Sequence, residues 1–186
     1  MTHIGTKTIE TERLILRRFT RDDADMAYKN WMGDPEVTEF LHWEHHPDVS
    51  VTREVISGFQ NSYDDPAFYN WAIVIKDSGE VIGFIGCAWM DERIHMIHTF
   101  YCIGKAWWGG GIVTEAYTAV VRYFFEEVGA NRIEAYHDPR NPASGKVMQK
   151  CGLTCEGTLR GADYNNKGIA DAVVYGILRE DYYRDK

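Results

Sequence analysis

The chain has 186 residues, of which 45% are apolar and 26% are charged. This length and composition suit one globular domain with a substantial core and exclude a disordered chain. The formal net charge is −8, from 20 basic and 28 acidic residues, and without a basic face nucleic acid is not an expected partner. An acidic surface suits a cationic substrate, and it suits simple solubility equally well.

Hydropathy, the N-terminal residues and the cysteines indicate where the protein works. No window reaches the roughly 18 uninterrupted apolar residues of a membrane span, and residues 1–5 do not begin a secretory signal. Four cysteines are scattered along the chain, and Cys151 and Cys155 have no second ligand pair at zinc-site spacing. We therefore expect one cytoplasmic domain, residues 1–186, with no membrane contact and no metal.

In chain order, the first half is predicted to begin with a strand within residues 9–19, where side chains alternate in character. Thr20 and the acids after it then begin a helix, which ends at residues 33–35. A second helix is predicted from about residue 48 to 63. Three strands follow, the first two joined as a hairpin, and they are predicted at 71–76, 81–86 and 96–103.

The second half alternates strands and helices. Three glycines at 109–111 lead directly into a predicted helix over 112–128, which Gly129 closes as a left-handed residue. A strand, a helix and two strands complete the chain, at 132–137, 141–152, 153–159 and 170–178. Because a strand–helix–strand unit needs a parallel crossover, we predict an α+β fold: a mixed, mostly antiparallel sheet with one splayed parallel pair and helices on both faces.

The glycine run is the first candidate binding feature. Glycines between a strand and a helix let backbone N–H groups approach a ligand, and the first turn of a helix binds pyrophosphate well. A simple strand-to-helix turn would need similar residues. A Walker loop would place Lys-Ser/Thr where Ile112 and Val113 stand, and a dinucleotide fingerprint would place a third glycine at Thr114, so both of these motifs are weak.

A second polar segment follows the next predicted strand. Asn141 and Ser144 stand at the start of the helix that begins after residues 132–137. Two neighbouring parallel strands that each run into a helix can splay and leave a slot for a ligand. We therefore expect Asn141 and Ser144 to lie at that slot, although each residue type also serves as a simple helix cap.

Three separated motifs occur along the chain. In chain order they are ERLILR (12–17) with DPEV (34–37), WGGGIVTEA (108–116), and NRIEA (131–135) with NPAS (141–144) and KCGL (150–153). Together they resemble the motifs of the GNAT superfamily of acetyltransferases. The glycine loop resembles the acetyl-CoA pyrophosphate loop of that superfamily, and the first motif resembles the Rim branch, the ribosomal-protein N-terminal acetyltransferases.

The resemblance implies a GNAT-like fold and an acetyl-CoA-dependent N-acetyltransferase. Asn141 and the strand that ends near Ile103 would hold the pantetheine arm, and Ser144 would protonate the leaving thiolate. A backbone N–H of the 96–103 strand would polarise the thioester carbonyl, and the amine would attack directly. The pyrophosphate would be held by backbone amides of Gly109, Gly110, Gly111, Ile112, Val113 and Thr114.

The chain departs from the family pattern at two positions. Ala106 stands where many members carry Gln or Arg, which removes one phosphate contact. His98 stands near the position of a Glu in Rim-branch enzymes. A histidine titrates near neutrality and can take the proton from an ammonium, but His98 can equally be an ordinary residue on the face of the sheet.

The acceptor follows from the Rim resemblance alone. That resemblance implies a primary amine at a protein or peptide N-terminus, such as that of a ribosomal protein. A polyamine, an amino acid or an aminoglycoside is the alternative acceptor, and a catalytically silent acyl-CoA-binding module is the alternative function. A homodimer is a fair expectation for a soluble enzyme.

Overall fold

The computed structural model describes residues 1–184 and is built around one mixed eight-stranded sheet. The strand order is β1-β2-β3-β4-β5-β6-β8-β7, and every neighbouring pair is antiparallel except β5 and β6. The strands are β1 (Ile9–Glu10), β2 (Leu14–Arg17), β3 (Asn70–Ile75), β4 (Val81–Asp91), β5 (Met96–Ile103), β6 (Arg132–His137), β7 (Thr154–Asn165) and β8 (Gly168–Leu178). The predicted fold class is confirmed.

Helices cover both faces of this sheet. Helices α1 and α2 pack on one face with a cluster that includes Trp31, Ile56 and Phe84, while α3 and α4 pack on the other. A 3-10 turn (Arg21–Asp23) precedes α1, and π-helical turns extend α1 (Tyr28–Met32) and α3 (Phe124–Val128). The helices are α1 (Ala24–Ala27), α2 (Val49–Ser62), α3 (Ile112–Tyr123), α4 (Pro142–Lys150) and α5 (Arg179–Arg184). Along residues 1–184, no helix has the length and apolar character to cross a membrane.

The ends of the helices follow local capping rules, as the sequence predicted for the helix start after Thr20 and for Gly129. The Asp23 carboxylate accepts a hydrogen bond of 2.7 Å from the Thr20 N–H, and the Asp48 carboxylate accepts one of 2.7 Å from the N–H of Ser50. Gly129 has φ 78° and ends the α3 segment in the left-handed region. These contacts satisfy backbone groups that a helix end leaves unpaired.

The structure differs from the sequence-based prediction at both ends of the chain. The single strand predicted within 9–19 is two strands, because the chain turns at Thr11, whose N–H donates to the carbonyl of Leu14 at 3.0 Å. The last two strands form a hairpin longer than predicted, and helix α5 was not predicted at all.

The feature that creates the site is the early separation of β5 from β6. The two strands pair only where Met96, Ile97 and His98 face Arg132, Ile133 and Glu134. Beyond that point β6 continues along β8, while β5 continues along β4. Within residues 1–184, the 99–103 part of β5 therefore has a strand on one side only.

The alternation of β5 divides its side chains between the two faces. Thr99 bonds to Tyr117 of α3, with 2.6 Å between the hydroxyl oxygens. In the opposite direction, Phe100 and Cys102 belong to the α1–α2 cluster. Because successive strand residues point to opposite faces, His98 shares the α1–α2 face with Phe100 and Cys102.

Close approach of β4 to β5 predicts that Gly83→Ala destabilises the protein. A methyl group on Gly83 would overlap the carbonyl oxygen of Cys102 and lie 2.9 Å from the Cα of Ile103. We expect the free energy of unfolding to fall by about 1–3 kcal/mol in a urea titration, as for other overpacked positions.

The matched control is Gly58→Ala in helix α2, where an added methyl group meets nothing within 4 Å. Alanine favours the helix over glycine by about 0.5–1 kcal/mol, so this variant should be as stable as the wild type or more so. Equal effects of the two substitutions would contradict the close packing of β4 on β5.

Candidate active site

A cavity of about 940 Å³ occupies the gap where β5 and β6 separate. Its "loop end" lies between the glycine run and helix α4. Its "aromatic end" lies under α2 and the 36–46 segment, on the α1–α2 face. The cavity is lined at the loop end by Ile103, Trp108, Gly109, Gly111, Ile112, Val113, Thr114, Asn141 and Ser144, and at the aromatic end by Phe40, Trp43, Phe59, Phe84 and Phe100.

The glycine run places the N-terminus of α3 at the loop end. Gly109 and Gly111 have φ angles of 76° and 74°, a conformation that side chains strongly disfavour, and Gly111 is the N-cap residue of α3. The first-turn N–H groups of a helix have no partner within the helix and carry partial positive charge. This end of the cavity is therefore suited to a phosphate group.

Gly110 does not line the cavity. It belongs instead to a hydrogen-bond network that joins the glycine loop to the β1–β2 turn, which the sequence did not reveal. Its carbonyl accepts a hydrogen bond of 3.0 Å from Nη1 of Arg13. The same guanidinium donates from Nε to Oε2 of Glu115 at 2.6 Å, and Thr11 donates to Oε1 of Glu115 at 2.6 Å. Burial opposes ionisation of Glu115, but these bonds lower its pKa below the ordinary value. The turn between β1 and β2 thus holds the glycine loop in place.

Helix α4 contributes two of the predicted polar residues. The side chain of Asn141 makes no hydrogen bond to the first turn of α4 and lines the cavity. Ser144, one helical turn later, places its Oγ 2.9 Å from the hydroxyl oxygen of Tyr101, and this hydroxyl donates to the Ser144 carbonyl at 2.8 Å. Burial raises the pKa of Tyr101 well above its ordinary value. Tyr101 therefore stays protonated and fixes Ser144 against β5.

His98 lies at the fork between β5 and β6, where it also lines the cavity. Its side chain is 12% exposed. The ring stacks on Trp89, with centroids 5.2 Å apart and planes at 11°, and meets the ring of Tyr136 at 4.4 Å. Its Nδ1 lies 3.4 Å from Oε1 of Glu134. Three neighbours from the two adjoining strands, β4 and β6, thus fix the orientation of the imidazole.

Glu134 is the second group that sequence reasoning missed. It is buried, and its carboxylate accepts hydrogen bonds from Arg132 at 3.0 and 3.1 Å and from Tyr136 at 3.0 Å. Burial opposes its ionisation, but bonds from His98, Arg132 and Tyr136 outweigh burial and lower its pKa to about 2. A fixed negative charge thus lies beside Nδ1 of His98, an arrangement that orients a histidine base.

No metal cluster accompanies these residues. Across residues 1–184, no group of three or more His, Cys, Asp or Glu side chains lies close enough together to hold a metal ion. Of the predicted residues, His98, Asn141 and Ser144 line the same cavity as the glycine loop. They come from β5 and α4, which the fold brings to the same fork.

The low pKa of Glu134 predicts a pH-dependent contribution to stability. Its ordinary value of 4.5 falls to about 2 in the folded protein, so the carboxylate stabilises the fold above pH 4.5 and loses this effect as pH falls toward 2. The full effect is on the order of 3 kcal/mol. In urea titrations Glu134→Gln should be destabilised at pH 7, and its deficit should shrink at pH 3.

The control for this pair of titrations is Glu44→Gln, at an exposed position. Its stability should follow that of the wild type at both pH values. A Glu134→Gln deficit of the same size at pH 7 and pH 3 would show that the carboxylate charge does not stabilise the fold.

Comparison with known proteins agrees with this geometry. Residues 13–154 match the acetyltransferase (GNAT) domain family. The uncharacterized N-acetyltransferase p20 of Bacillus licheniformis is 31% identical over 176 residues, which is 95% of this chain and 98% of p20. A [ribosomal protein uS5]-alanine N-acetyltransferase of Escherichia coli strain K12 is 33% identical over 92 residues, 49% of this chain and 47% of that enzyme.

A solved structure shows the same fold. The microcin C7 self-immunity acetyltransferase MccE, in complex with acetyl-CoA and AMP, superposes with a TM-score of 0.80 at 19% identity, covering 90% of this chain and 93% of that one. Since the family match spans most of the chain and p20 resembles it from end to end, this protein belongs to the GNAT family and is an N-acetyltransferase of the GNAT type.

Proposed function

We propose that the protein transfers the acetyl group of acetyl-CoA to a primary amine, and that the first acceptor to test is the α-amino group of a protein or peptide N-terminus. One observation carries the proposal. A single cavity joins a phosphate-suited helix N-terminus to His98 and Ser144. The relative that acetylates an N-terminal alanine of a ribosomal protein supports this acceptor class.

Acetyl-CoA fits the loop end on the features of this chain. The backbone N–H groups of Gly109 in the loop, and of residues 111–114 at the start of α3, bind the pyrophosphate. Asn141, whose amide is not used to cap α4, bonds to the pantetheine arm as it lies along the unpaired part of β5. Lys146 and Lys150 also line the cavity and supply positive charge on the α4 side, whereas Ala106 supplies none.

His98 takes the proton that the acceptor amine must lose. A protonated amine has no lone pair, so it cannot attack until a base removes its proton. His98 faces the cavity, and Glu134 stabilises the imidazolium that forms once the ring has accepted the proton. In this arrangement His98 is the catalytic base and Glu134 is a positioning residue.

Ser144 and β5 serve the other half of the reaction. The neutral amine nitrogen bonds to the thioester carbonyl carbon, and the carbon–sulfur bond breaks. A β5 backbone N–H stabilises the negative charge that develops on the carbonyl oxygen. The thiolate takes its proton from the hydroxyl of Ser144, which Tyr101 holds in place. The second proton that the amine nitrogen loses on becoming an amide returns to the Ser144 oxygen and restores its hydroxyl. The products are an acetamide and free CoA.

Mass spectrometry of acetyl transfer tests the proposal. The panel holds peptides that begin with Ala, Ser or Met, together with spermidine, free amino acids and an aminoglycoside. Acetylation at the α-amino group of a peptide is the expected result. Transfer only to a small amine would overturn the acceptor class, and tight acetyl-CoA binding without transfer to any amine would overturn the proposed reaction.

His98→Gln should lower kcat/KM for the best acceptor by roughly 10²–10³-fold, because general-base catalysis contributes on that order. Binding of acetyl-CoA, measured by calorimetry, should remain. The matched control is His45→Gln, an exposed loop histidine outside the cavity, which should retain wild-type kinetics. If both variants lose activity equally, His98 is not the base.

Ser144→Ala should lower kcat roughly 100-fold, at the lower end of the range for positioned proton transfer, with little change in acetyl-CoA affinity. Tyr101→Phe should reproduce part of this loss, because it removes the bond that orients Ser144. Steady-state release of CoA, followed with a thiol reagent, measures both effects. Full activity of Ser144→Ala would assign the proton to water.

A further inference from the structure

The aromatic end of the cavity is a wall of rings that adjoins the proposed reaction centre. Phe100 is two residues from His98 on the same face of β5, and its ring lies 5.3 Å from that of Phe84. The rings of Trp43 and Phe59 each lie 6.5 Å from that of Phe84. These rings come from β4, β5, α2 and the 36–46 segment, and all line the cavity.

The tip of the β7–β8 hairpin holds this wall together. The Asn166 carboxamide donates hydrogen bonds of 2.8 Å to the carbonyls of Thr38 and Trp43. The backbone N–H of Asn166 donates to the carbonyl of Leu41 at 3.3 Å. Trp43 is therefore held by the fold before any ligand arrives, and a preformed wall binds without the cost of ordering it.

The acidic side chains around the cavity already have basic partners in the chain. Glu36 pairs with Lys105, and Glu39 pairs with Lys167.

Two further acids that line the cavity, Asp138 and Asp163, also have basic partners. Asp138 is buried, lies 2.5 Å from Nη2 of Arg140 and accepts a bond of 2.8 Å from Asn165. Asp163 lies 2.9 Å from Nε2 of His42. Across residues 1–184, each of the four acids that line the cavity thus has a basic side chain within ion-pair distance.

From the rings and the paired acids we infer that the acceptor is a primary amine next to a bulky apolar group, preferably an aromatic ring. This inference rests on the proposed function. A polyamine or an aminoglycoside needs several free carboxylates and gains little from apolar walls. A phenyl ring buried against Phe59, Phe84 and Phe100 gains the free energy of leaving water and the contact energy of aromatic pairs.

The test compares matched acceptors in a steady-state assay. Phenethylamine is compared with ethylamine, and a hexapeptide that begins with Phe with the same peptide beginning with Ala. Spermidine represents polycations. We expect kcat/KM to favour the aromatic member of each pair by about tenfold or more, and spermidine to be poorer than phenethylamine.

Substitutions then identify which residues cause the preference for an aromatic acceptor. Phe59→Leu should reduce the phenethylamine-to-ethylamine ratio severalfold, and Phe40→Leu, in the 36–46 segment, is the second variant if the first does not fold. The control is Phe68→Leu, since this ring belongs to the same cluster but does not line the cavity. The phenethylamine-to-ethylamine ratio of Phe68→Leu should equal that of the wild type.

The outcomes separate the two proposals. If amines are acetylated with ratios near one, the acceptor inference is wrong and the proposed function stands. If spermidine is preferred, the acceptor inference and the proposed peptide acceptor are both wrong, while acetyl transfer to a primary amine stands. If Phe59→Leu and Phe68→Leu change the ratio equally, the aromatic end does not select the acceptor. If none of the five compounds is acetylated while acetyl-CoA binds, both proposals fail.

Discussion

The short parallel pairing of β5 with β6 is the constraint on which the site depends. Three residue pairs hold these strands together, and beyond them β6 follows β8 while β5 follows β4. A sheet that stayed paired to the end of β5 would leave no cavity and no free backbone edge. The long β8 strand makes the separation stable, because it satisfies along β6 the backbone groups that β5 leaves unpaired.

The fork also explains why the two halves of the reaction come from different layers. Side chains that point from β5 toward α3, such as Tyr101, meet α4 and hold Ser144. Side chains that point toward α1 and α2, such as His98 and Phe100, line the part of the cavity that we assign to the acceptor. One strand with period-two alternation thus relates the proposed acid and the proposed base to opposite faces of the sheet.

The sequence predicted the helix ends and strands that depend on neighbouring residues. The helix start after Thr20, the left-handed Gly129 and the 96–103 strand follow from neighbouring residues, and the structure contains all of them. The pairs that assemble the site do not follow from neighbours. Glu134 is 36 residues from His98, and Glu115 is 102 residues from Arg13. The register of the sheet brings Glu134 to His98, and the turn at Thr11 brings Arg13 to Glu115. The same turn divides the predicted first strand into β1 and β2.

The apolar character of the acceptor pocket bears on the base as well as on selectivity. An ammonium that moves from water into apolar surroundings loses hydration worth several kcal/mol, whereas a ring face returns only about 0.5–2 kcal/mol. Because the carboxylates around the pocket are already paired, little else compensates the charge, so burial favours the neutral amine and lowers its pKa. In the proposed reaction the pocket would then supply part of the driving force for deprotonation, and His98 would accept a proton that the amine holds weakly.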